Sequence, residues 1–129
     1  MSASFLLNRR RGTMAKTLDF TKTKKQYLTV KLNDDENTVL AVNTPTKAIY
    51  EVLFECYGKL NEVENVKDVE TLTDVISALY EACAMAISNN KNRKHFTASD
   101  LEDLFDFDDL VLFFTTYMDF VGEVANTKN

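Results

Sequence analysis

Histidine, cysteine and tryptophan are scarce, because the 129 residues include one histidine, two cysteines and no tryptophan. Nucleophilic and acid–base catalysis usually draw on a histidine or on a cluster of groups with shifted pKa values, so this composition disfavours an enzyme. Two cysteines are too few for the disulfide framework of a small secreted domain. Three glycines and one proline exclude a collagen-like or low-complexity chain. We expect one folded domain without catalysis, a metal or a cofactor.

Long apolar stretches and an excess of positive charge are also missing. No apolar stretch approaches the roughly 20 residues that a membrane span needs. Twenty acidic and 15 basic residues give a net charge of −5, which repels a polyanion. We therefore expect neither a membrane nor a nucleic acid as partner. The charge is uneven, since residues 16–31 hold five lysines and one acid whereas residues 97–129 hold eight acids and one lysine.

The first thirteen residues end in a basic run, Arg9 to Arg11, shortly before Met14. The codons AGG-AGG encode Arg-Arg and also form a bacterial ribosome-binding sequence. We therefore expect Met14 to be the natural start and residues 1–13 to be translated upstream sequence. Removing the three arginines changes the net charge from −5 to −8. The single domain then covers residues 14–129.

A β-hairpin is predicted near the start of this domain. Residues 26–32 alternate with period two and place Leu28, Val30 and Leu32 on one face, as in a half-buried strand. A polar loop of turn formers follows, and then a β-branched run at residues 38–42. Two such runs around a short polar loop indicate an antiparallel pair.

The first helix is predicted to begin with Thr44 as its N-cap and Pro45 at its first position, where the missing N–H costs nothing. It continues to about residue 63 with apolar residues spaced by three and four, the pattern of one buried face. The residues predicted on that face are Ala48, Ile49, Val52, Leu53, Cys56, Tyr57, Leu60 and Val63.

Three more helices are predicted downstream. The same spacing over residues 72–87 gives the second helix, which stops at the polar stretch 88–94, predicted to face solvent. Thr97 and Asp100 have the spacing of a capping box and open a short third helix. The last helix is predicted to start near Asp106 to Asp108 and to run to about Ala125. The expected fold class is α+β and mostly α, with an N-terminal β-hairpin packed on a cluster of about four helices.

The densest cluster of charge lies at the start of the last two helices. A calcium loop of the EF-hand type fails, because Phe105 and Val111 occupy the positions of its glycine and its final glutamate. Acids gather at helix N-termini because the free N–H groups and the macrodipole favour negative charge there, and this is our interpretation. The acids concerned are Asp100, Glu102, Asp103, Asp106, Asp108 and Asp109.

The two cysteines and the histidine have no partners at ligand spacing. Cys56 and Cys83 fall on apolar helix faces, which indicates core packing, with a redox pair as the alternative. His95 has no second histidine or neighbouring cysteine, so a metal-binding or general-base role is not expected.

The last helix has an unusually wide apolar face. At about 100° per residue its apolar residues fill an arc of about 180°, whereas about 100° suffices to face a core, and Leu112 lies outside even that arc. Either the helix is sandwiched between other elements, or part of its aromatic surface is reserved for another chain. The candidate partner-binding residues are Phe107, Leu112, Phe114, Tyr117 and Phe120.

Several of these segments, in this order, carry a family resemblance. They are Leu18-Asp19-Phe20-Thr21, the hairpin from Tyr27 to Val42, the Thr44-Pro45 helix entry, and Phe96 to Leu104 followed by residues 110–124. Together they resemble the tail assembly chaperones of long-tailed phages and prophages of Gram-positive bacteria, over nearly all of residues 14–129.

The resemblance implies a non-catalytic protein that is made in the cytoplasm of the bacterial host and is not expected in the mature virion. It implies binding to the tape-measure protein, help in recruiting tail-tube subunits, and self-association. It also implies a longer form made by a frameshift near Lys128-Asn129. The alternatives are a structural tail or connector subunit, another small cytoplasmic protein-interaction domain, or a small enzyme or metal-binding protein.

Overall fold

The computed structural model describes residues 16–20, 25–63 and 69–126, and the expectations for residues 1–13 and for Lys128-Asn129 lie outside these ranges. The described ranges contain two strands and four helices. They are β1 (Tyr27–Lys31), β2 (Val39–Asn43), α1 (Lys47–Val63), α2 (Val69–Ser88), α3 (Ala98–Leu104) and α4 (Phe107–Asn126). The expected fold class, α+β and mostly α with the hairpin packed on the helices, is confirmed.

The hairpin pairs β1 with β2 in antiparallel register, with Leu28 opposite Val42 and Val30 opposite Leu40. Leu28, Val30 and Leu32 pack against the core, as the period-two pattern predicts. The turn is closed by Asp34, whose carboxylate accepts hydrogen bonds from the backbone N–H and the hydroxyl of Thr38. These two hydrogen bonds lower the pKa of Asp34.

The predicted start of α1 was wrong by two residues. Thr46, not Thr44, is its cap, because the Ile49 N–H donates to Thr46 Oγ1 at 3.3 Å and the helix begins at Lys47. The carbonyl of Thr44 instead accepts a hydrogen bond from Asn89 Nδ2 at 3.1 Å. The chain is therefore still bound to the loop after α2 at Thr44, and it turns into the helix only afterwards.

Helix α2 is the centre of the fold, since it packs against α1, α3, α4 and β2. Its buried residues include Ala82, Ala84 and Ala86, whose short side chains let neighbouring elements approach closely. Leu79 and Ile87, both fully buried, supply the bulk of the core on this helix.

The burial of the two cysteines confirms the interpretation that they pack in the core. Cys56 on α1 and Cys83 on α2 are both free and buried. The Cys56 thiol lies 3.5 Å from the carbonyl oxygen of Ala78 on the facing helix. Burial raises the pKa of both thiols, so both stay protonated at neutral pH.

The polar stretch after α2 faces solvent only in part, since residues 91–94 are exposed as predicted but Asn90 is buried. It runs along β2, where the Asn43 N–H donates to the Asn89 carbonyl at 2.8 Å and the Lys91 N–H donates to the Ala41 carbonyl at 2.9 Å. The Ala41 N–H donates to Asn92 Oδ1 at 2.9 Å. Without this loop, the edge of β2 would carry unpaired backbone N–H and C=O groups. The backbone of the loop and the side-chain oxygen of Asn92 form hydrogen bonds with them.

Asn90 is the buried residue that shapes this loop, with 7% of its surface exposed. Its amide donates to the carbonyls of Ile87 and Lys94, at 2.7 and 2.8 Å, and its oxygen accepts from the Lys94 N–H at 3.0 Å. Asn90 can therefore occupy a buried position although it is polar, because both the amide group and the oxygen of its side chain have hydrogen-bond partners.

The interpretation of the charge cluster is right for four of its six acids, which lie at or just before helix starts, whereas Glu102 and Asp103 lie in the last turn of α3. Thr97 and Asp100 form the expected capping box, with each side chain accepting from the other's N–H, and these hydrogen bonds lower the pKa of Asp100. Asp106 and Asp109 form a second, unpredicted reciprocal pair at the start of α4, at 2.8 and 3.3 Å.

Candidate protein-interaction surface

The inner face of α4 is locked into the core. The Tyr117 ring lies between those of Phe113 and Phe120, with ring centroids 5.7 and 6.0 Å apart. Its hydroxyl donates to the carbonyl of Asn43 at 2.8 Å, which ties the helix to the end of β2. Burial raises the pKa of the Tyr117 phenol. This face belongs to the internal packing of the domain.

Three of the five candidate partner-binding residues therefore lie in the core. Phe114, Tyr117 and Phe120 are 2%, 0% and 9% exposed, because they belong to the core where α4 packs on α2. The prediction that these three residues lie on the surface was wrong. Phe107 and Leu112 are 46% and 65% exposed, so they are accessible to another chain. Partner binding by these two residues stays a prediction.

Leu112 borders an open groove of about 350 Å³ between β1 and α4. More of its lining is apolar than polar, and two of its lining rings, Phe105 and Phe113, are tilted against each other at 6.2 Å. The Phe105 carbonyl accepts a hydrogen bond from the Tyr80 hydroxyl at 2.8 Å, which fixes this part of the wall. The lining residues are Leu28, Thr29, Val30, Lys31, Asn33, Leu104, Phe105, Asp109, Leu112, Phe113 and Thr116.

The groove follows the outer edge of β1. The backbone groups of Ala41 and Asn43 form hydrogen bonds with the loop after α2. The backbone groups of the alternate residues, Leu40 and Val42, therefore point towards β1. By the same alternation, the backbone groups of Thr29 and Lys31 point away from β2. Within the described ranges, no strand pairs with this outer edge. An extended segment of another chain can therefore pair there.

One end of the groove is acidic. Asp109 lines it, and two further exposed acids lie close to Asp109 in the chain, Asp106 just before α4 and Asp108 in its first turn. Lys31 is the one basic residue among the lining side chains. The groove thus combines apolar walls with one acidic and one basic lining side chain, and further exposed acids lie at the start of α4.

A second exposed apolar surface was missed in the sequence. Tyr50, Phe54 and Tyr57 form an aromatic stripe on α1, at 43%, 60% and 49% exposure, with the first two rings stacked at 6.1 Å. Tyr57 and Ala48 were predicted on the core face, and both are exposed. The spacing of four and three residues would have revealed the stripe, because it continues the core face of α1 around the helix.

Other kinds of site find no support among the described residues. No group of three or more histidine, cysteine, aspartate or glutamate side chains within them is arranged to hold a metal ion. None of the helices in the described ranges combines the length and apolar character that a membrane crossing requires. His95 is exposed.

Comparisons of the chain with protein-family models, with curated proteins and with solved structures found no match. Function is therefore inferred from the groove, the exposed apolar side chains and the resemblance of the sequence segments.

Proposed function

We propose that this protein is a tail assembly chaperone of a long-tailed phage or prophage, which binds the tape-measure protein during tail assembly. The observation that carries the proposal is the position of Leu112, a 65% exposed leucine at the rim of an apolar groove. A large exposed apolar side chain beside a groove is typical of a protein-binding surface. The resemblance of the sequence segments supplies the kind of partner.

A tape-measure chain is long, helical and apolar, so it needs a holder that covers apolar side chains and remains soluble. The groove and Phe107 offer the apolar contact, and the aromatic stripe on α1 offers a second one. The net charge of −5 keeps the holder in solution. The exposed acids at the start of α4 attract basic segments of the client.

The proposal includes no catalysis and no cofactor. In it, the chaperone works in the cytoplasm of the bacterial host, helps to recruit tail-tube subunits to the held tape-measure chain, and associates with further copies of itself. It leaves when the tail is complete, so purified virions should lack it. A structural tail or connector subunit would instead be found in virions.

Co-expression with the tape-measure protein tests the client surface. The wild-type chain should keep the tape-measure protein in the soluble fraction, and Leu112→Asp should lose most of this effect because it places a charge at the groove. Val69→Asp is the matched control, since Val69 is 75% exposed and does not line the groove. Both variants should unfold at the wild-type temperature. Full solubilisation by Leu112→Asp would show that the client binds elsewhere.

A further inference from the structure

We propose that β1 pairs with β1 of a second copy, antiparallel and about a two-fold axis, so that two hairpins form one four-stranded sheet. This deepens the self-association that is part of the proposed function and rests on it for its biological role. Its test uses no client, so the two proposals fail separately.

The two edges of the hairpin differ. The outer edge of β2 is covered by the loop after α2, through Asn89, Lys91 and Asn92. The outer edge of β1, with the backbone groups of Thr29 and Lys31, has no strand beside it in the part of the chain that the structure describes. β1 pairs with β2 residue by residue and contains no proline, so neither a bulge nor a missing N–H blocks a further strand on its open edge.

A two-fold axis at Thr29 uses the whole open edge. Thr29 then pairs with itself, and Tyr27 of each copy pairs with Lys31 of the other. All three are residues whose backbone groups point away from β2. On the other face of the sheet, Leu28 lies opposite Val30 of the second copy. No residue of the paired strands then lies opposite a like charge.

The pairing covers apolar surface at the groove between β1 and α4. Leu28 and Val30 are half-buried in the single chain and line this groove. Residues opposite each other in an antiparallel pair lie on the same face, so Leu28 and Val30 of the second copy lie on the groove side of the sheet. The groove is open there, and apolar surface of both copies leaves water when the strands pair.

The charges that flank β1 favour a second copy as the occupant. Lys25, directly before β1, is exposed, and residues 21–25 hold three lysines and no acid. The turn after β1 holds Asp34, Asp35 and Glu36 and no base. In one copy Lys25 and this turn lie at opposite ends of a five-residue strand, roughly 17 Å long, so they are too far apart to pair.

Antiparallel pairing brings these opposite charges together twice. With Thr29 on the axis, Lys25 of each copy lies opposite Asn33 of the other, next to the acidic turn. An in-register parallel pairing would instead place Lys25 beside Lys25 and one acidic turn beside the other. The charges therefore select the antiparallel orientation, and salt weakens their contribution. Both open edges are used, so the assembly closes as a dimer.

Sedimentation velocity and light scattering of the full chain over a concentration series test the proposal. The wild type should form a dimer that grows no further. Lys25→Glu and Asp35→Lys/Glu36→Lys should each dimerise about tenfold or more weakly at low salt, because like charges then meet at both ends of the paired strands. Phe54→Asp, which changes the exposed stripe on α1, should dimerise like the wild type.

Mixing the two charge variants gives the decisive result. In a mixed pair the reversed position 25 of one copy meets the reversed turn of the other, and the native Lys25 meets the native turn. Both contacts are again between opposite charges, so the mixture should form a one-to-one dimer about as tight as that of the wild type. Circular dichroism should show both variants folded.

Four outcomes would overturn the proposal. They are a wild type that stays monomeric, a Lys25→Glu variant that dimerises like the wild type, a mixture that pairs no better than its components, and loss of the dimer in Phe54→Asp, which would place the interface on α1.

Hydrogen exchange tests the strand pairing without a substitution. The amides of Thr29 and Lys31 point to the open edge, so their exchange should slow about tenfold or more when the protein concentration is raised from the monomer range to the dimer range. Exchange at these two amides that is equally fast in the dimer would contradict the pairing of β1 with β1.

The outcome is separable from that of the client experiment, because the charge variants leave Leu112 unchanged. A wild-type dimer together with full solubilisation of the tape-measure protein by Leu112→Asp would contradict the proposed client surface alone. A wild type that stays monomeric, while Leu112→Asp loses solubilisation, would contradict the strand pairing alone.

Discussion

Helices α1 and α4 both have apolar faces wider than one neighbour can cover, but they use them differently. Helix α4 packs on α2 and is tied to the end of β2 by Tyr117, and its aromatic arc is buried while Leu112 is left at the rim of the groove. Helix α1 packs mainly on α2 and leaves Tyr50, Phe54 and Tyr57 exposed. The width of an apolar face thus indicates how much apolar surface a helix has to bury, and the way the helix packs on its neighbours decides which residues are buried.

The largest expected effect is on the inner face of α4. Tyr117→Ala should lower the free energy of unfolding by about 3–5 kcal/mol, because a fully buried ring and its hydrogen bond to Asn43 are lost. Leu112→Ala should change it by less than about 0.5 kcal/mol. Urea titration measures both. Equal losses would mean that Leu112 is a core residue and that the two faces of α4 do not differ.

On α1 the corresponding pair is Leu53 and Phe54. Leu53→Ala should cost about 2–5 kcal/mol because Leu53 is fully buried against α2. Phe54→Ala should cost less than about 0.5 kcal/mol, since it loses only an exposed stack with Tyr50. The same titration applies, and a large loss at Phe54 would show that the stripe is covered within the domain.

The start of α1 gives a smaller effect. Thr46→Ala should lower the free energy of unfolding by about 1 kcal/mol because it removes the cap of the Ile49 N–H. Thr44→Ala should have less effect, since only the backbone carbonyl of Thr44 is bonded. Thermal unfolding of the two variants measures the difference. The reverse order would restore Thr44 as the cap.

The smallest effect is on pH dependence, through Asp34 and Asp100. Hydrogen bonds lower the pKa of both carboxyls in the folded chain. Their stabilising contribution is therefore present above the unfolded pKa of about 3.9 and is lost as pH falls through the folded pKa. The melting temperature should fall below about pH 4, and less steeply in Asp34→Asn/Asp100→Asn. An unchanged slope would mean that other groups carry the acid sensitivity. The difference in the free energy of unfolding between Tyr117→Ala and Leu112→Ala should persist at each pH.

Most of the fold was predictable, because local patterns specify it. The period-two face of β1 and the capping box at Thr97 and Asp100 were predicted from spacing alone, and the structure confirms both. The reciprocal pair Asp106 and Asp109 has the same spacing and was readable, but it was not used to place the start of α4.

The errors arose where a distant segment supplies the partner. Asn89 binds the Thr44 carbonyl from 45 residues away, and Asn92 of the same loop binds Ala41 in β2 from 51 residues away. No local pattern contains such contacts. Only part of the candidate surface was predictable, for the same reason. Leu112 lies outside the apolar arc and is exposed, but nothing in the sequence of the arc indicated that Phe114 is buried.

The sequence by itself determined the elements, the acidic character and the excess of apolar residues on two helices, because helix and strand periods are properties of neighbouring residues. Only the tertiary structure decided which apolar residues are covered, that Asn90 belongs to the core, and that β1 borders an open groove with Leu112. Burial depends on which elements pack together, and that is settled by contacts between residues far apart in the chain.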